Sequence, residues 1–162
     1  RRASRDFVTA EPWPPAGLRR TGILGQPGSA EVAPSREPLP SRLARQAWGE
    51  QGVYSTTHDL ARWYGLLRSG PVLAPASAQA LFTPVAPIGE GQAALGWFVG
   101  KTDRGAVRVF TRGNEDFGPN ALLYAYPASG VVVVVLTHAG DADADTSWSR
   151  KVHGEIEAAL GL

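Results

Sequence analysis

The chain has 162 residues, 43% of them hydrophobic and 19% charged, with 16 basic against 15 acidic side chains. That length supports one domain with a real core, and a net charge of +1 removes the broad electrostatic case for nucleic acid or an anionic membrane as partner. The absence of cysteine excludes disulfides, thiol catalysis and cysteine-ligated metals. His58, His138 and His153 stand too far apart for a short metal-ligand pattern. The longest apolar run, Val131 to Leu136, is far shorter than the roughly 18 to 20 residues of a membrane helix. No methionine is present, which is the expectation for a processed or partial chain. Arg1-Arg2-Ala3-Ser4-Arg5 is not followed by the apolar stretch of a signal peptide, so the compartment stays open.

Proline and glycine punctuate the first fifty or so residues, which disfavours long helices and central strands there. Asp6-Phe7-Val8 reads as the close of a helix, Pro14 to Leu24 as an ordered turn-rich segment, and residues 26–41 as a surface loop. The pattern changes at Ser55. Thr56 is a candidate N-cap with Asp59 in the first turn. Leu60, Trp63, Tyr64 and Leu67 then form one apolar helical stripe that ends at Gly70. A second short helix is expected from Pro75 to Phe82. Four strand-like runs follow: Leu95–Val99, Ala106–Thr111, Ala121–Tyr126 and Val131–Thr137. Pro127-Ala128-Ser129-Gly130 is a tight turn that pairs the last two as an antiparallel hairpin. Five consecutive valines predict a strand covered on both faces. Thr146 to Leu160 reads as a closing helix with Trp148, Val152, Ile156 and Ala159 on one side, weakened at Gly154. The expected fold class is α+β, an antiparallel sheet flanked by helices within a single domain over 1–162.

Several stretches, in order, resemble the C-terminal half of the serine β-lactamase, D-alanyl-D-alanine carboxypeptidase and esterase superfamily, the penicillin-binding-protein-like serine hydrolases. Pro15-Ala16-Gly17-Leu18-Arg19-Arg20-Thr21-Gly22 is similar to that family's Pro-Leu-Gly-Met segment followed by Thr. Gly52-Val53-Tyr54-Ser55-Thr56-Thr57-His58-Asp59-Leu60-Ala61-Arg62-Trp63 resembles its Gly-Leu-x-Ser-Thr-x-x-Asp-Leu-Ala-Arg helix start. Leu95-Gly96-Trp97 resembles its Gly-Leu-Gly-Trp strand, and Asn120 to Thr137 its closing hairpin with a Pro-x-x-Gly turn. The resemblance implies a partial transpeptidase-like fold without its N-terminal helix and first two strands. It also implies a partner in the upstream half of the same fold, a small acyl substrate (ester, amide or peptide), and no metal or organic cofactor. Members of the family are often exported.

Acyl transfer of this type needs a serine with a lysine one helical turn later, so that the amine takes the hydroxyl proton. No Ser-x-x-Lys occurs in this chain, and no Tyr-x-Asn or Ser-x-Asn element occurs either. The resemblance places both upstream, so the chain alone is expected to be inactive. A third element, Lys-Thr-Gly or His-x-Gly in the family, falls on Phe110-Thr111-Arg112-Gly113-Asn114-Glu115-Asp116-Phe117-Gly118. Counting back from Pro127 puts Arg112 at the cation position, whereas matching glycines puts Thr111 there. Arg112, Gly113 and Asn114 are the candidate site residues, with Thr111 as the alternative and the Glu115 backbone N–H as the oxyanion donor. Both registers depart from the family, because arginine does not shuttle protons at neutral pH and threonine carries no charge. A surface reading competes for Arg112, an exposed strand arginine paired with Glu115 or Asp116.

Asp141, Asp143 and Asp145 lack the glycine and twelfth-position glutamate of a calcium loop and read as a solvated turn. Trp63, Trp97 and Trp148 fall on apolar faces and are expected in the core. Trp13 and Trp48 lie in loop-like sequence, where a groove lining competes with a plain surface role. None of the three histidines has a chemical partner visible in sequence. A non-catalytic binding protein or pseudoenzyme of the same fold is the alternative to a hydrolase.

Overall fold

The computed structural model of the chain describes residues 13, 16–24, 32, 52–89, 91–114, 119–138 and 148–162. Strand β1 (Gly22–Ile23) pairs antiparallel with β2 (Val53–Tyr54), and helix α1 (Thr57–Ser69) follows at once. Thr56 caps α1 as expected: its backbone is extended and its hydroxyl accepts from the Asp59 N–H at 3.1 Å. The Asp59 carboxylate turns back and accepts from the Arg20 N–H and the Thr21 hydroxyl, each at 2.9 Å. Because Thr21 spends its proton on Asp59, the Ser55 hydroxyl is the donor in the 2.8 Å Thr21–Ser55 contact. One helical turn on, Arg62 Nε donates to the Ala16 carbonyl at 2.8 Å. Two stretches thirty or more residues apart are thus one structural unit. Gly22 leaves room inside it for the Tyr54 ring, which lies where a β-carbon would stand.

The predicted stripe of α1 packs on a sheet, with Tyr64 and Leu67 buried and Leu60 and Trp63 half-buried beside them. Helix α2 (Pro75–Phe82) matches its expected span, with proline at its first turn. Its Phe82 ring meets Tyr64 and Trp97 with centroids 5.7 Å and 5.2 Å away, closing an aromatic triangle over the sheet.

Six antiparallel strands follow in sequence order: β3 (Ala86–Ile88), β4 (Gly91–Ala93), β5 (Phe98–Lys101), β6 (Val107–Asn114), β7 (Asn120–Tyr126) and β8 (Val131–Thr137). Strand β7 is buried on both faces. Leu123 and Ala125 join Val109, Trp97 and the α1 side chains, whereas Leu122, Tyr124 and Tyr126 join Val133 and Val135 beneath helix α3 (Trp148–Ala159). The valine run behaves as predicted. Val132 and Val134 pack towards α1, and Val133 and Val135 towards α3. The turn after β7 closes with the Gly130 N–H on the Tyr126 carbonyl at 2.9 Å, Gly130 lying at φ +70° where an L side chain is strained.

Several expectations need correction. Strand β5 begins at Phe98, not Leu95, because the Ala94 N–H bonds the Trp97 carbonyl at 2.7 Å in a turn through Gly96 at φ +75°. Leu95 is left on the surface. The hairpin β3–β4 was not anticipated; its strands have three residues each, and Pro87 argues against a ladder position. Residues 22 and 23 are a strand within the segment read as turns. Trp148 is 58% exposed rather than in the core. The inward stripe of α3 runs through Ser149, Val152, His153 and Ile156, and the small, fully buried Ser149 brings the helix start close enough to donate to Asn120 Oδ1 at 3.3 Å. Helix α3 passes through Gly154 unbroken, on its exposed side. The expected helix end at residues 6–8, nearly all of the 26–41 loop, Trp48 and the Asp141–Asp145 turn lie outside the described residues.

Asp59 holds two donors from a distant segment, so Asp59→Ala is expected to lower stability by about 1–3 kcal/mol. Thr56→Ala should cost about 1 kcal/mol. Because both act on one network, the double variant should lose less than the sum. Urea unfolding of the three variants checks this.

Candidate active site at the free end of strand β6

Strand β6 has eight residues, but β5 pairs only with its first half, from Lys101 opposite Val107 to Phe98 opposite Phe110. On the other side β7 continues the ladder from Ala125 opposite Val109 to Asn120 opposite Asn114. Thr111–Asn114 are therefore held on one side only among the described residues. Backbone groups of successive strand residues point alternately to the two neighbours, so half of this stretch presents N–H and C=O groups to an open lane.

Side chains alternate in the same way. Thr111 and Gly113 share the face of buried Val109, opposite Leu123 and Ala121, on the α1 side. Arg112 lies with Phe110 on the α3 side. The two sequence registers thus correspond to opposite faces of the sheet. Gly113 is exposed, and a β-carbon there would meet nothing within 4 Å. Arg112 is also exposed, with its guanidinium carbon 6.0 Å from the Phe98 ring centroid and no carboxylate partner among the described residues. Asn114 sits in the ladder opposite Asn120. Glu115, the expected oxyanion donor, and Asp116 lie outside the described residues. The structure therefore gathers Thr111, Arg112, Gly113 and Asn114 at one free strand end and sets Thr111 and Gly113 on one face and Arg112 on the other.

A polar cluster that the sequence reading did not find lies at the other end of the same strand. Arg108 Nη1 donates to both Glu157 oxygens, at 2.9 Å and 3.1 Å. The Tyr126 hydroxyl donates to Glu157 Oε1 at 2.8 Å and is 2.8 Å from His153 Nε2, which must then be the donor in that bond. Burial, followed by the Glu157 hydrogen bond and charge, pushes the Tyr126 phenol well above its ordinary range, so it stays a proton donor. Phe98, Phe110, Tyr124 and His153 stack in series at centroid spacings of 5.4, 4.8 and 3.6 Å. Two signals pointed to this cluster. Strand alternation puts Arg108 on the Phe110 side, and His153 and Glu157 are one helical turn apart. Four strand residues, roughly 13 Å, separate Arg108 from Arg112, so the cluster belongs to the seating of α3 and not to the free strand end. His58 and His138 are exposed, and Trp97 is in the core as expected.

A sequence profile described as Beta-lactamase matches residues 2–153. The chain belongs to the beta-lactamase family. Its fold superposes on a penicillin binding protein from Bacillus halodurans with a TM-score of 0.76 at 21% identity, covering 96% of this chain and 49% of that one. A class C beta-lactamase aligns with a TM-score of 0.68 at 18% identity, over 91% of this chain and 48% of the other. The chain thus spans about half the length of these two structures. No curated protein matches it. The α+β fold expected from sequence stands.

Because Arg112 is exposed, Arg112→Ala should change stability by no more than about 0.5–1 kcal/mol. Glu157→Ala strands Arg108 and Tyr126 and should cost about 2–3 kcal/mol. Denaturant midpoints of the two variants, measured side by side, test the contrast.

Proposed function

We propose that this chain forms the oxyanion-side wall of a serine hydrolase site that cleaves an ester, amide or peptide through an acyl-enzyme. The observation that carries the reading is the free edge at Thr111–Asn114, where β6 runs past the end of β5. An acyl substrate lying along that edge would find backbone donors in the open lane and, at Gly113, no β-carbon in its way. In this reading a serine from the other half of the fold attacks the acyl carbon. The oxyanion accepts from the backbone N–H at Glu115, and the leaving group departs protonated. Water then attacks the acyl-enzyme and releases the acid. Arg112 supplies a fixed positive charge for a substrate carboxylate, a role a guanidinium fills well, whereas it is a poor proton carrier. The chain by itself has no Ser-x-x-Lys and no Tyr-x-Asn, so it supplies binding groups and no nucleophile.

A second reading, a non-catalytic binding protein of the same fold, is favoured by Arg112 and Thr111 standing where the family carries lysine or histidine. The two readings separate in a protein that joins this chain to the other half of the fold. A fluorophosphonate should label one serine there if it is a hydrolase, and should label none in a binding protein; this chain alone should remain unlabelled. In the joined hydrolase, Arg112→Ala is expected to raise KM for a carboxylate-bearing substrate by about tenfold or more, the loss of one charge-assisted hydrogen bond. An unchanged KM would remove Arg112 from the site.

A further inference from the structure

His153 is 5% exposed, stacked at 3.6 Å on Tyr124 and hydrogen-bonded through Nε2 to the Tyr126 hydroxyl at 2.8 Å. Its ring lies where α3 meets strand β7, so the helix cannot leave without breaking both contacts. We propose that this imidazole is an acid-sensitive latch: protonating His153 releases α3 from the sheet. The reading stands apart from the proposed hydrolase chemistry and would hold for a binding protein as well.

The groups around His153 decide the sign. On α3 these are Glu157 and Arg150; from β6 comes Arg108; from β7 come Tyr124 and Tyr126. In the same layer β8 contributes Val133 and Val135, which carry no charge. Glu157 favours an imidazolium, but its carboxylate is already engaged by Arg108 and by the Tyr126 hydroxyl. The Tyr124 face would welcome a cation, yet the Arg108 guanidinium already lies 5.7 Å from that ring's centroid. Burial is the largest effect, and with Arg108 and Arg150 it holds His153 below the ordinary imidazole value of 6.5, against the opposing pull of Glu157. The folded state therefore prefers neutral His153, while the unfolded chain takes up the proton more readily. The latch is complete above about pH 6.5 and is lost as pH falls through the lowered value.

The test follows amide-exchange protection and Tm of the chain between about pH 7.5 and about pH 5. Protection in α3 and Tm should both fall on acidification. His153→Phe keeps a stacked ring but removes the proton, and should flatten that acid response. Tyr126→Phe removes the hydrogen bond but leaves the imidazole buried, and should keep it. Equal acid responses in the parent and His153→Phe would overturn the latch and assign the effect to Glu157 or other carboxylates. Should His153→Phe fail to fold, the imidazole Cε1–H of the parent is followed by NMR. Titration below the ordinary value together with loss of α3 signals supports the latch. Titration at the ordinary value with α3 intact overturns it.

Discussion

Burial of β7 on both faces is the constraint from which the rest of the structure follows. Leu123 and Ala125 must be covered on one side, and Leu122, Tyr124 and Tyr126 on the other. A strand of this kind is stable only between two layers, so α1 and α3 are obligatory partners and not ornaments of the sheet. The valines of β8 extend the same two-sided demand by one strand. The register of β7 then dictates that of β6. Val109 is drawn into the α1 layer, and alternation carries that choice along to Thr111 and Gly113. A slip of one residue would bury Arg108 and Arg112 in an apolar layer that has no partner for them.

The two helices are seated by different physics. On the α1 side the contact is apolar, and helix entry is set by a local polar knot: Thr56 caps the helix, and Asp59 reaches back to Arg20 and Thr21. That knot accounts for two of the family-like stretches standing where they do, since each supplies the hydrogen-bond partners of the other. On the α3 side an ionic and aromatic cluster crosses the interface through Glu157, Tyr126, His153 and Arg108. Such a cluster is costly to break, and it ties helix position to protonation in a way that apolar packing does not.

The free end of β6 is a consequence of strand lengths. Strand β5 begins only at Phe98 because Gly96 turns the chain, so beyond Phe110 β6 continues to Asn114 on the support of β7 alone among the described residues. The open lane beside Thr111–Asn114 is therefore made by what is missing on one side of a strand among the described residues.

Much of the fold was legible in residue order, because its signals are local. The Thr56 cap, the i, i+3, i+4, i+7 stripe of α1, the proline-started α2 and the hairpin across Pro127–Gly130 each depend on neighbours within a few positions. The short strands β3 and β4 escaped notice because three residues carry too little alternation to register. Trp148 misled because hydrophobicity alone chose the stripe of α3, whereas close approach to the sheet selected the small Ser149 instead. For the candidate site, sequence by itself singled out the segment from Thr111 to Asn114 and showed that no Ser-x-x-Lys accompanies it in this chain. Only the tertiary structure decided that Thr111 and Arg112 serve opposite faces, and that His153 meets Tyr126 across 27 positions of sequence. Those outcomes rest on which strand faces are buried and which residues oppose each other across elements, quantities set by packing and not by any one stretch of chain.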